Sequence, residues 1–453
     1  MIEKDFYVKI KKILPQNEYD EFCASLSNPP KRGLVFNNLI MDKQEFLNNF
    51  ACNLEKLDYD ENCFIINDDN KMGGNAFHHA GAIYMQEPSA MIAGIYLPLS
   101  KGDVVLDACA SPGGKTFQIA KRLDGVLVSN EYEFERAKVL NANIERLGLN
   151  NVMTTNFTAE ELAKCYPNKF DCVLVDAPCS GEGMFRKEDK AISQWSDEYV
   201  KVCANRQKEI LTHYDKTLKQ GGYLMYSTCT YSVEENEEVV AFLVDKGYKI
   251  VNIGTISGES EGLKLKGYET NLSKRFYPHK SKGEGQFVCL LQKVVGNNES
   301  PVYVRTGRFK VGATEIRLIT QFFKENLDNK AWEMIEQNLV VKGENIYYVR
   351  DKSLIVDDKK IINYGVRLGS VVKNRFEPHH NLFKSFSNRF LRKVNLNETE
   401  TYEYLKGNTV DVDDDNGWCV VMYHNAPLGG GKIVNGMLKN HYPKGLRLIN
   451  VKK

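Results

Sequence analysis

Two cysteines follow predicted strands, where a thiol could act as a nucleophile. Cys179 lies in the segment DAPCSGEG and Cys229 in the segment YSTCTYS. Each comes after an apolar run bounded by turn residues, and such runs predict buried strands of an α/β sheet. Ligands bind at the ends of such strands, and a thiolate there is a strong nucleophile. A single cysteine is more often an inert, buried hydrophobic residue. Two of them, each followed by Ser or Thr at a strand end, bring the two interpretations to about equal weight.

A glycine-rich segment precedes the cysteines and could hold a ligand. DACASPGGKT (107–116) lies between a predicted strand and a predicted helix. Gly113 and Gly114 allow the backbone to come close to a ligand, and the free amides at a helix start favour a negative group. The spacing is neither that of a Walker A loop nor GxGxxG. A simple turn is the alternative interpretation.

Glu131 strengthens the interpretation of this loop as a cofactor site. It ends the next predicted strand, 24 positions after Asp107. An acidic residue at that place can accept both hydroxyls of a ribose. Because no phosphate-binding motif accompanies it, an adenosine-containing cofactor without pyrophosphate fits better than NAD. S-adenosylmethionine is the candidate.

Alternating apolar runs and helical patterns must position these residues. Strands are predicted at 104–110, 125–131, 170–178 and 222–229, and helices at 116–123, 134–148, 200–219 and 233–245. This alternation predicts a parallel sheet with crossover helices, a Rossmann-like α/β domain. We expect it to cover residues 96–293, after a small α+β unit at 1–95. A linker at 294–301 and a β-rich region at 302–453 are expected to follow.

Composition and charge narrow the class of protein. The 453 residues carry 60 basic and 59 acidic side chains, and 42% are hydrophobic, as in a globular protein. We see neither an apolar run of membrane-spanning length nor a signal peptide, and therefore expect a cytoplasmic protein. Eleven cysteines without a CxxC pair argue against a disulfide framework and against a zinc site. The pair His379–His380 has no partners at metal-ligand spacing, so no metal is expected.

Two basic segments lie near the C-terminus. Residues 371–393 carry six Lys/Arg against one acid, and residues 432–453 carry six Lys/Arg and no acid. A solvated charged face is one interpretation of either segment. Because Phe, His and Tyr are interleaved with the charges, an RNA-contacting surface is the other.

Four motifs in order resemble those of the Sun-type RNA cytosine-C5 methyltransferases. They are DACASPGGKT, NEYEFERAKVL, DAPCSGEGMFRK and YSTCTYSVEENE, and QEPSAM (86–91) is similar to a further element of that family. The segments VRLGSVVKNRFEPHH and NAPLGGGKIVNGMLKNHYPKGLR resemble the tail of one branch, the RsmF-type 16S rRNA methyltransferases. The resemblance implies an RRM-like N-terminal domain, a Rossmann-like S-adenosylmethionine-dependent sheet and a PUA-like C-terminal region. It also implies a monomer that acts on 16S rRNA or the small ribosomal subunit.

The resemblance assigns roles to individual residues. Cys229 matches the family nucleophile, Cys179 its second cysteine, and Asp176 a residue beside the base. The cofactor-binding positions are Cys109, Ala110, Ser111, Pro112, Gly113, Gly114, Lys115, Glu131, Thr158 and Asp176. One departure concerns Thr158, which stands in TTNFTAE where the family usually has an Asp near the adenine. Cys109 is expected to pack against the cofactor and not to act as a nucleophile.

The implied chemistry explains why two thiols are needed. Cytosine C5 is a poor nucleophile, and a thiolate added to C6 makes the ring enamine-like, so that C5 can attack a sulfonium methyl group. Cys229 would add to C6, Asp176 would hold the cytosine edge, and Cys179 would help to remove the C5 proton before elimination. The base must be unpaired or flipped out of its helix. Arg186 and Lys187 either meet RNA phosphates or belong to a solvated loop.

Three functions remain in competition. The first is 5-methylcytosine formation in 16S rRNA, in the decoding region as the branch resemblance implies. The second is the same reaction on tRNA or another rRNA site. The third is a non-catalytic ribosome-assembly scaffold, against which both cysteines, the glycine loop, Glu131 and Asp176 argue. A DNA cytosine methyltransferase would carry its nucleophile in the Pro-Cys loop alone and would give Cys229 no role.

Overall fold

The computed structural model describes residues 2–68, 72–296, 311–356 and 359–448. The predicted linker therefore lies outside the described residues from 297 onward, and the second basic segment does so from 449 onward. Within the described ranges, no helix is both long and apolar enough to cross a membrane. All eleven cysteines are free thiols.

The N-terminal part contains a four-stranded antiparallel sheet. Its order is β2-β3-β1-β4, and its strands consist mostly of buried apolar residues. Its helices and strands, in chain order, are α1 (Lys4–Ile13), α2 (Gln16–Ser25), β1 (Arg32–Phe36), α3 (Lys43–Asn49), β2 (Leu54–Lys56), β3 (Cys63–Ile66), α4 (Ala76–His79) and β4 (Ile83–Met85). The RRM-like character expected for this part stays a prediction.

The first two helices pack on the part of the chain that carries the two cysteine loops. Phe6 of α1 and Phe22 of α2 are fully buried. The ring of Phe6 lies 5.0 Å from that of Phe185 and 5.9 Å from that of Trp195, and the ring of Phe22 lies 5.3 Å from that of Tyr231. Aromatic pairs at such separations contribute beyond their buried area. The helix pair thus supports the loops that follow the two cysteines.

The central sheet has the expected Rossmann-like arrangement. Strands β5 to β9 run parallel in the order β9-β8-β5-β6-β7, and β13 adds antiparallel to β9. The elements are α5 (Ile92–Ile95), β5 (Val104–Asp107), α6 (Gly114–Ala120), β6 (Val126–Asn130), α7 (Phe134–Arg146), β7 (Val152–Thr155), α8 (Ala159–Cys165), β8 (Phe170–Asp176), α9 (Asp189–Gln194), α10 (Asp197–Thr217), β9 (Leu218–Thr228), α11 (Glu237–Asp245), β10 (Tyr248–Val251), β11 (Glu259–Glu261), β12 (Lys274–Phe276) and β13 (Gln286–Lys293). Apolar clusters cover both faces of the sheet, which explains why its strands read as nearly continuous apolar runs.

One predicted helix begins later than expected. Residues 233–236 form a turn, and α11 starts only at Glu237. The side chain of Asn236 accepts a hydrogen bond from Thr228 Oγ1 at 2.6 Å and donates one to the carbonyl of Thr230 at 2.9 Å. The turn is therefore held to the loop around Cys229, which lies between these two threonines.

The C-terminal region is β-rich, as expected, and adds two further sheets. Their orders are β14-β15-β17-β18 and β19-β21-β22-β23-β20. The elements are α12 (Ala313–Asn326), α13 (Asn329–Ile335), β14 (Leu339–Lys342), β15 (Asn345–Tyr348), β16 (Ile361–Asn363), β17 (Val366–Val372), β18 (Arg375–Pro378), α14 (His380–Ser385), β19 (Lys393–Asn395), α15 (Glu398–Lys406), β20 (Val410–Asp411), β21 (Gly417–Tyr423), β22 (Ala426–Val434) and β23 (Met437–Asn440).

Strand β16 belongs to the central sheet, although it comes from the C-terminal region. It pairs antiparallel with β7, and the amide of Asn156 donates to the carbonyl of Lys360 at 2.7 Å. Tyr347, Leu354 and Ile361 are buried in the same apolar cluster as the central strands. The central sheet and the C-terminal region therefore share one core.

The last sheet also packs on the N-terminal sheet. Phe36 and Phe77 share an apolar cluster with Leu428 and Tyr404. Lys384 is buried at this junction and donates from Nζ to the carbonyls of Ala80 and Pro427. The three parts of the chain are thus joined by buried contacts.

Candidate active site

The two predicted cysteines meet at the ends of neighbouring parallel strands. Strand β8 ends at Asp176 and β9 at Thr228, and the amide of Ala177 donates to the carbonyl of Ser227 at 2.8 Å. The loops that leave these strands bring Cys179 Sγ to 3.3 Å from Cys229 Sγ. The structure therefore brings together the two thiols that the sequence singled out.

The two thiols influence each other electrostatically. The hydrogen bond with Cys229, together with burial, raises the pKa of Cys179 well above its ordinary value. Two thiolates this close would repel each other, so ionisation of one cysteine disfavours ionisation of the other. Cys179 is therefore the thiol that this environment keeps protonated.

A partly buried ion pair lies beside the thiols. Lys115 Nζ is 2.7 Å from Asp176 Oδ2. Burial alone would lower the pKa of Lys115, but Asp176, with smaller contributions from Asp107 and Cys229, raises it above its ordinary value. Lys115 therefore stays charged and attracts negative charge on the Cys229 sulfur. The ion pair also joins the glycine loop to the end of β8.

Glu182 and Glu235 hold the two cysteine loops against each other. Ser180, which follows Cys179, has its Oγ 2.8 Å from Oγ1 of Thr230, which follows Cys229. Oγ1 of Thr230 donates to Glu182 at 2.8 Å, and Ser180 Oγ also contacts Glu235. All four side chains are buried. The Ser and Thr next to the cysteines thus link the two loops.

Burial also affects the charge of Glu235. Its carboxylate accepts hydrogen bonds from Ser180 Oγ, from the amide of Ser180 at 3.0 Å and from Gln207 Nε2 at 2.8 Å. These hydrogen bonds favour the ionised form, but burial, with the nearby charge of Glu182, outweighs them and raises the pKa of Glu235 to about 7. Glu182 accepts further hydrogen bonds from Trp195 Nε1, the amide of Tyr231 and Ser232 Oγ.

The glycine loop packs closely on the residues around it. Gly113 lies in the left-handed region, with φ of 113°. A Cβ on Gly114 would stand 2.8 Å from Cδ of Gln86 and 3.0 Å from Cε1 of Tyr84, so only glycine fits between this loop and β4. Asn143 Nδ2 donates to the carbonyl of Pro112 at 2.9 Å and fixes the loop to α7.

Asp107 is a site residue that sequence reasoning missed as a ligand. It ends β5 beneath the loop and accepts a hydrogen bond from Thr116 Oγ1 at 2.7 Å. Its Oδ1 is buried without a partner among the described residues. Burial raises the pKa of this carboxyl to about 7. An unsatisfied buried acceptor below a glycine loop fits a ligand that donates hydrogen bonds, such as an ammonium group.

Glu131 lies where the sequence expects it. It follows β6, is 2% exposed, and accepts from the amide of Glu133 at 3.1 Å. Arg136 Nη2 lies 3.4 Å from its Oε2. The carboxylate is thus held at the carboxyl end of the sheet, beside the glycine loop, since Ser111 Oγ donates to the carbonyl of the same Arg136 at 3.1 Å.

Asn130 is a second residue that the sequence did not reveal. Its side chain is buried, and its amide donates to the carbonyls of Ala108 and Phe157 at 3.3 and 3.0 Å. Its Oδ1 accepts from Thr155 Oγ1 and from the amide of Phe157. One amide thereby fixes the ends of three neighbouring strands. The sequence signal that could have identified Asn130 is an Asn at the end of a predicted apolar strand.

Thr158 has a structural use in addition to any ligand role. Its hydroxyl caps α8 by accepting from the amide of Glu161, whose carboxylate accepts from the amide of Thr158 in return. Such a capping box stabilises the first turn of a helix. The adenine-side role of Thr158 stays a prediction.

Cys109 and Arg186 are both tied into the protein. Burial raises the pKa of Cys109, and its sulfur lies 4.0 Å from the hydroxyl of Tyr214, so it is a poor nucleophile. Arg186, for which an RNA phosphate was one interpretation, instead donates from Nε to Glu284 at 2.7 Å and from Nη1 to the carbonyl of Ser25. Arg186 fixes α2 to the catalytic part and is not a free RNA contact.

Among the described residues, no group of three or more His, Cys, Asp or Glu side chains is arranged to hold a metal ion. The site groups are two thiols, one ion pair, and buried carboxyls under a glycine loop. This set can carry out nucleophilic addition and proton transfer next to an electrophile held by the loop.

Comparison with family models gives four matches along the chain. A model described as 16S rRNA methyltransferase RsmB/F matches residues 94–292. The N-terminal domain of 16S rRNA methyltransferase RsmF matches 2–88, the RsmF rRNA methyltransferase first C-terminal domain matches 321–385, and the methyltransferase RsmF PUA domain matches 391–448. The matches occur in chain order and include every sheet described above.

Curated relatives and solved structures agree with the family models. Ribosomal RNA small subunit methyltransferase F of Vibrio vulnificus strain YJ016 is 30% identical over 98% of this chain and 97% of its own length. The protein of that name from Klebsiella pneumoniae strain 342 is 30% identical over 97% and 95%. The crystal structure of PH0851 matches with a TM-score of 0.59 and 23% identity, over 64% of this chain and 66% of that one. NSun6 from Pyrococcus horikoshii, solved with SFG, matches with a TM-score of 0.55 and 21% identity, over 65% and 98%. At these identities the solved structures show the fold alone.

Proposed function

The chain belongs to the RsmB/F family of 16S rRNA methyltransferases, and from this premise we propose that it methylates C5 of a cytosine in 16S rRNA through a covalent adduct with Cys229. The observation that carries the proposal is the 3.3 Å separation of the Cys179 and Cys229 sulfurs at adjacent strand ends. Transfer to an oxygen or an exocyclic nitrogen has no use for two thiols. Transfer to C5 needs one to activate the ring and a base to restore it.

S-adenosylmethionine is the cofactor of this family, and the residues here fit it. The orphaned Oδ1 of Asp107, below the glycine loop, offers an acceptor for its ammonium group. In this proposal the carboxylate of Glu131 accepts the ribose hydroxyls. The bound cofactor supplies a methyl group on a positively charged sulfur.

Cys229 activates the base in this proposal. Its thiolate, favoured by the charge of Lys115, adds to C6 of the cytosine and forms a C–S bond. The electron pair of the C5–C6 double bond moves toward C5 and N3, and C5 then takes the methyl group. Asp176 holds the cytosine edge and is itself fixed by Lys115 at 2.7 Å.

Cys179 completes the reaction. The hydrogen bond with Cys229 is the largest cause of the raised pKa of Cys179, and that cause disappears once the Cys229 sulfur is bonded to C6. Cys179 then ionises more readily and takes the C5 proton. The C5–H electron pair re-forms the double bond, the C6–S bond breaks, and Cys229 leaves as a thiolate.

The proposed substrate is an unpaired or flipped cytosine in the decoding region of 16S rRNA. The rRNA is either naked or assembled into the small subunit, and the reaction takes place in the cytoplasm. A stacked base cannot present C6 to a thiol. One copy of the chain is proposed to suffice, because both thiols, the glycine loop and the carboxyls come from a single chain.

Bisulfite sequencing tests this assignment. The 16S rRNA and tRNA of a strain that lacks the gene are compared with those of the same strain carrying the wild-type gene or Cys229→Ala. We expect one or a few cytosines of the decoding region to be protected from conversion only with the wild-type gene. Protection confined to tRNA, or protection restored equally by Cys229→Ala, would contradict the proposal.

A further inference from the structure

An open cleft of about 440 Å³ lies between the N-terminal sheet and the catalytic part. Arg32 at the start of β1 forms part of its wall, together with His78 of α4 and the loop residue Lys187. Pockets of 300–1,000 Å³ are typical of sites for small molecules or single groups. The volume therefore accommodates one nucleotide, and no residue of the cleft has a part in the chemistry above.

The cleft adjoins both halves of the active site. Gln86, in its wall, packs on Gly114 of the cofactor loop and accepts a hydrogen bond from Gln118 Nε2 at 3.2 Å. Lys187 lies on the segment that follows Cys179, and that segment is tied to the other cysteine because the amide of Gly183 donates to the carbonyl of Cys229 at 2.9 Å. A strand that delivers a cytosine to the thiols thus has the cleft beside it.

Positive charge in the cleft suits a phosphate. Lys187 has no carboxylate within ion-pair distance in the described part of the chain, unlike its neighbour Arg186. Arg32 contributes a second cation, and its Nη1 donates to the carbonyl of Asp68 at 3.3 Å. Glu87 also lines the cleft, but its carboxylate accepts from the amides of Ser89, Ala90 and Glu284.

The remaining wall suits a nucleobase. Met72 and Met85 offer polarisable apolar surface. The Nδ1 atom of His78 is buried without a hydrogen-bond partner in the described part of the chain. Burial, and then Arg146, lower the pKa of His78 to about 3, so the ring is neutral near pH 7. A neutral imidazole with an unsatisfied nitrogen suits a base edge or a ribose hydroxyl better than a phosphate charge.

We propose that this cleft binds the nucleotide next to the target cytosine on the same RNA strand, with Lys187 and Arg32 on its phosphates and His78 and the two methionines on its base or sugar. The proposal rests on the proposed function, because it assumes an RNA target. It makes the cleft a subsite that selects and orients the substrate and takes no part in the bond changes.

The test uses the full-length protein and a 16S rRNA decoding-region fragment. Lys187→Ala and Arg32→Ala are compared with Lys190→Ala and Lys31→Ala, which alter exposed lysines close by in sequence. For each cleft variant we expect the RNA KM to rise about five- to tenfold and the salt slope of RNA binding to flatten by about one. The kcat, the S-adenosylmethionine Kd and the melting temperature should stay near wild type, and both controls should bind RNA normally.

A second measurement addresses the nucleotide itself. RNA fragments with an abasic site immediately beside the target cytosine, on either side, are compared with fragments abasic five nucleotides away. Weaker binding for one adjacent position alone supports the subsite.

Cleft variants that match their controls while the wild type still methylates C5 would overturn the subsite and leave the proposed function intact. Wild-type protein that binds the fragment tightly but leaves C5 unmethylated would instead count against the proposed function. Cleft variants that lose a ribosomal-protein contact but keep normal affinity for the RNA would show that the cleft serves a protein.

Discussion

Cys229 and Cys179 carry the same functional group, yet their replacement should have opposite signatures. Without Cys229 no C6 adduct forms, so Cys229→Ala should lower kcat by on the order of 10³-fold or more. Without Cys179, the Cys229 thiolate still adds to C6, but removal of the C5 proton and release of Cys229 are slow. Cys179→Ala should therefore accumulate a protein–RNA adduct that survives denaturing electrophoresis. S-adenosylmethionine affinity should change little in either variant, because the sulfurs act on the base.

Two further variants make this prediction decisive. The double variant Cys179→Ala with Cys229→Ala should give no adduct. Cys203→Ala, which alters a buried thiol of α10, should behave as wild type. An adduct that persists in the double variant, or one that is absent from Cys179→Ala, would reverse or remove the roles assigned to the two cysteines.

Glu235 should give the protein a measurable pH dependence of stability. Its pKa rises from 4.5 to about 7 on folding. Between those values the folded state binds more protons than the unfolded state, so the free energy of unfolding falls as pH rises through this window. Glu235→Gln mimics the neutral acid, with one donor and one acceptor, and should remove up to about 1.4 kcal/mol per pH unit of that decline.

Urea denaturation at several values between pH 4.5 and pH 8 measures this contribution. Asp107 contributes in the same direction, since its pKa is also raised to about 7, so only the difference between variant and wild type reports on Glu235. Glu238→Gln alters an exposed carboxyl and should leave the slope unchanged. A slope for Glu235→Gln equal to that of the wild type would show that Glu235 is ionised across the range.

At the scale of elements, α1 supports the cysteine loops from outside the sheet. Phe6 lies against Phe185 and Trp195, and Phe6→Ala should cost about 3–5 kcal/mol of unfolding free energy. Because Phe6 contacts the segment that follows Cys179, kcat should fall more than S-adenosylmethionine affinity. Val8→Ala, at an exposed position of the same helix, is the matched control for denaturation and activity assays. Equal effects of the two substitutions would show that the helix does not support the loops.

The helices, strands and loops differ in how well they could be predicted from the sequence. Apolar runs and glycine placement predicted four of the five parallel central strands, all but β7, together with the loop that holds Gly113 and Gly114 and the side of the sheet where Cys179 and Cys229 meet. These features depend on local pattern. Contacts between residues far apart in the sequence could not be predicted. The ion pair of Arg186 with Glu284 and the hydrogen bonds by which Asn130 joins three strand ends depend on distant partners, which a local sequence pattern does not indicate. The role of Glu235 was hidden because VEENEE reads as the start of an amphipathic helix.

At the scale of the whole molecule, β16 makes the catalytic sheet depend on the C-terminal region. The proposed cofactor residues all lie before residue 293, but a fragment 1–296 lacks Ile361 and exposes the apolar surface that Tyr347 and Leu354 cover. Such a fragment should melt lower and bind S-adenosylmethionine more weakly than the full chain. Addition of a separate 311–453 fragment should restore affinity in a calorimetric titration. Full affinity in 1–296 alone would show that β16 is dispensable.

The pairing of β16 with β7 also orders events during synthesis. A nascent chain that has exposed all of its catalytic residues still lacks the edge strand at 361–363, which emerges from the ribosome much later. Until then β7 offers an open edge and its apolar neighbours stay uncovered. An enzyme completed in this way gains its full central sheet only once β16 has emerged, so chains terminated before residue 361 would not compete for unmodified rRNA as active enzymes.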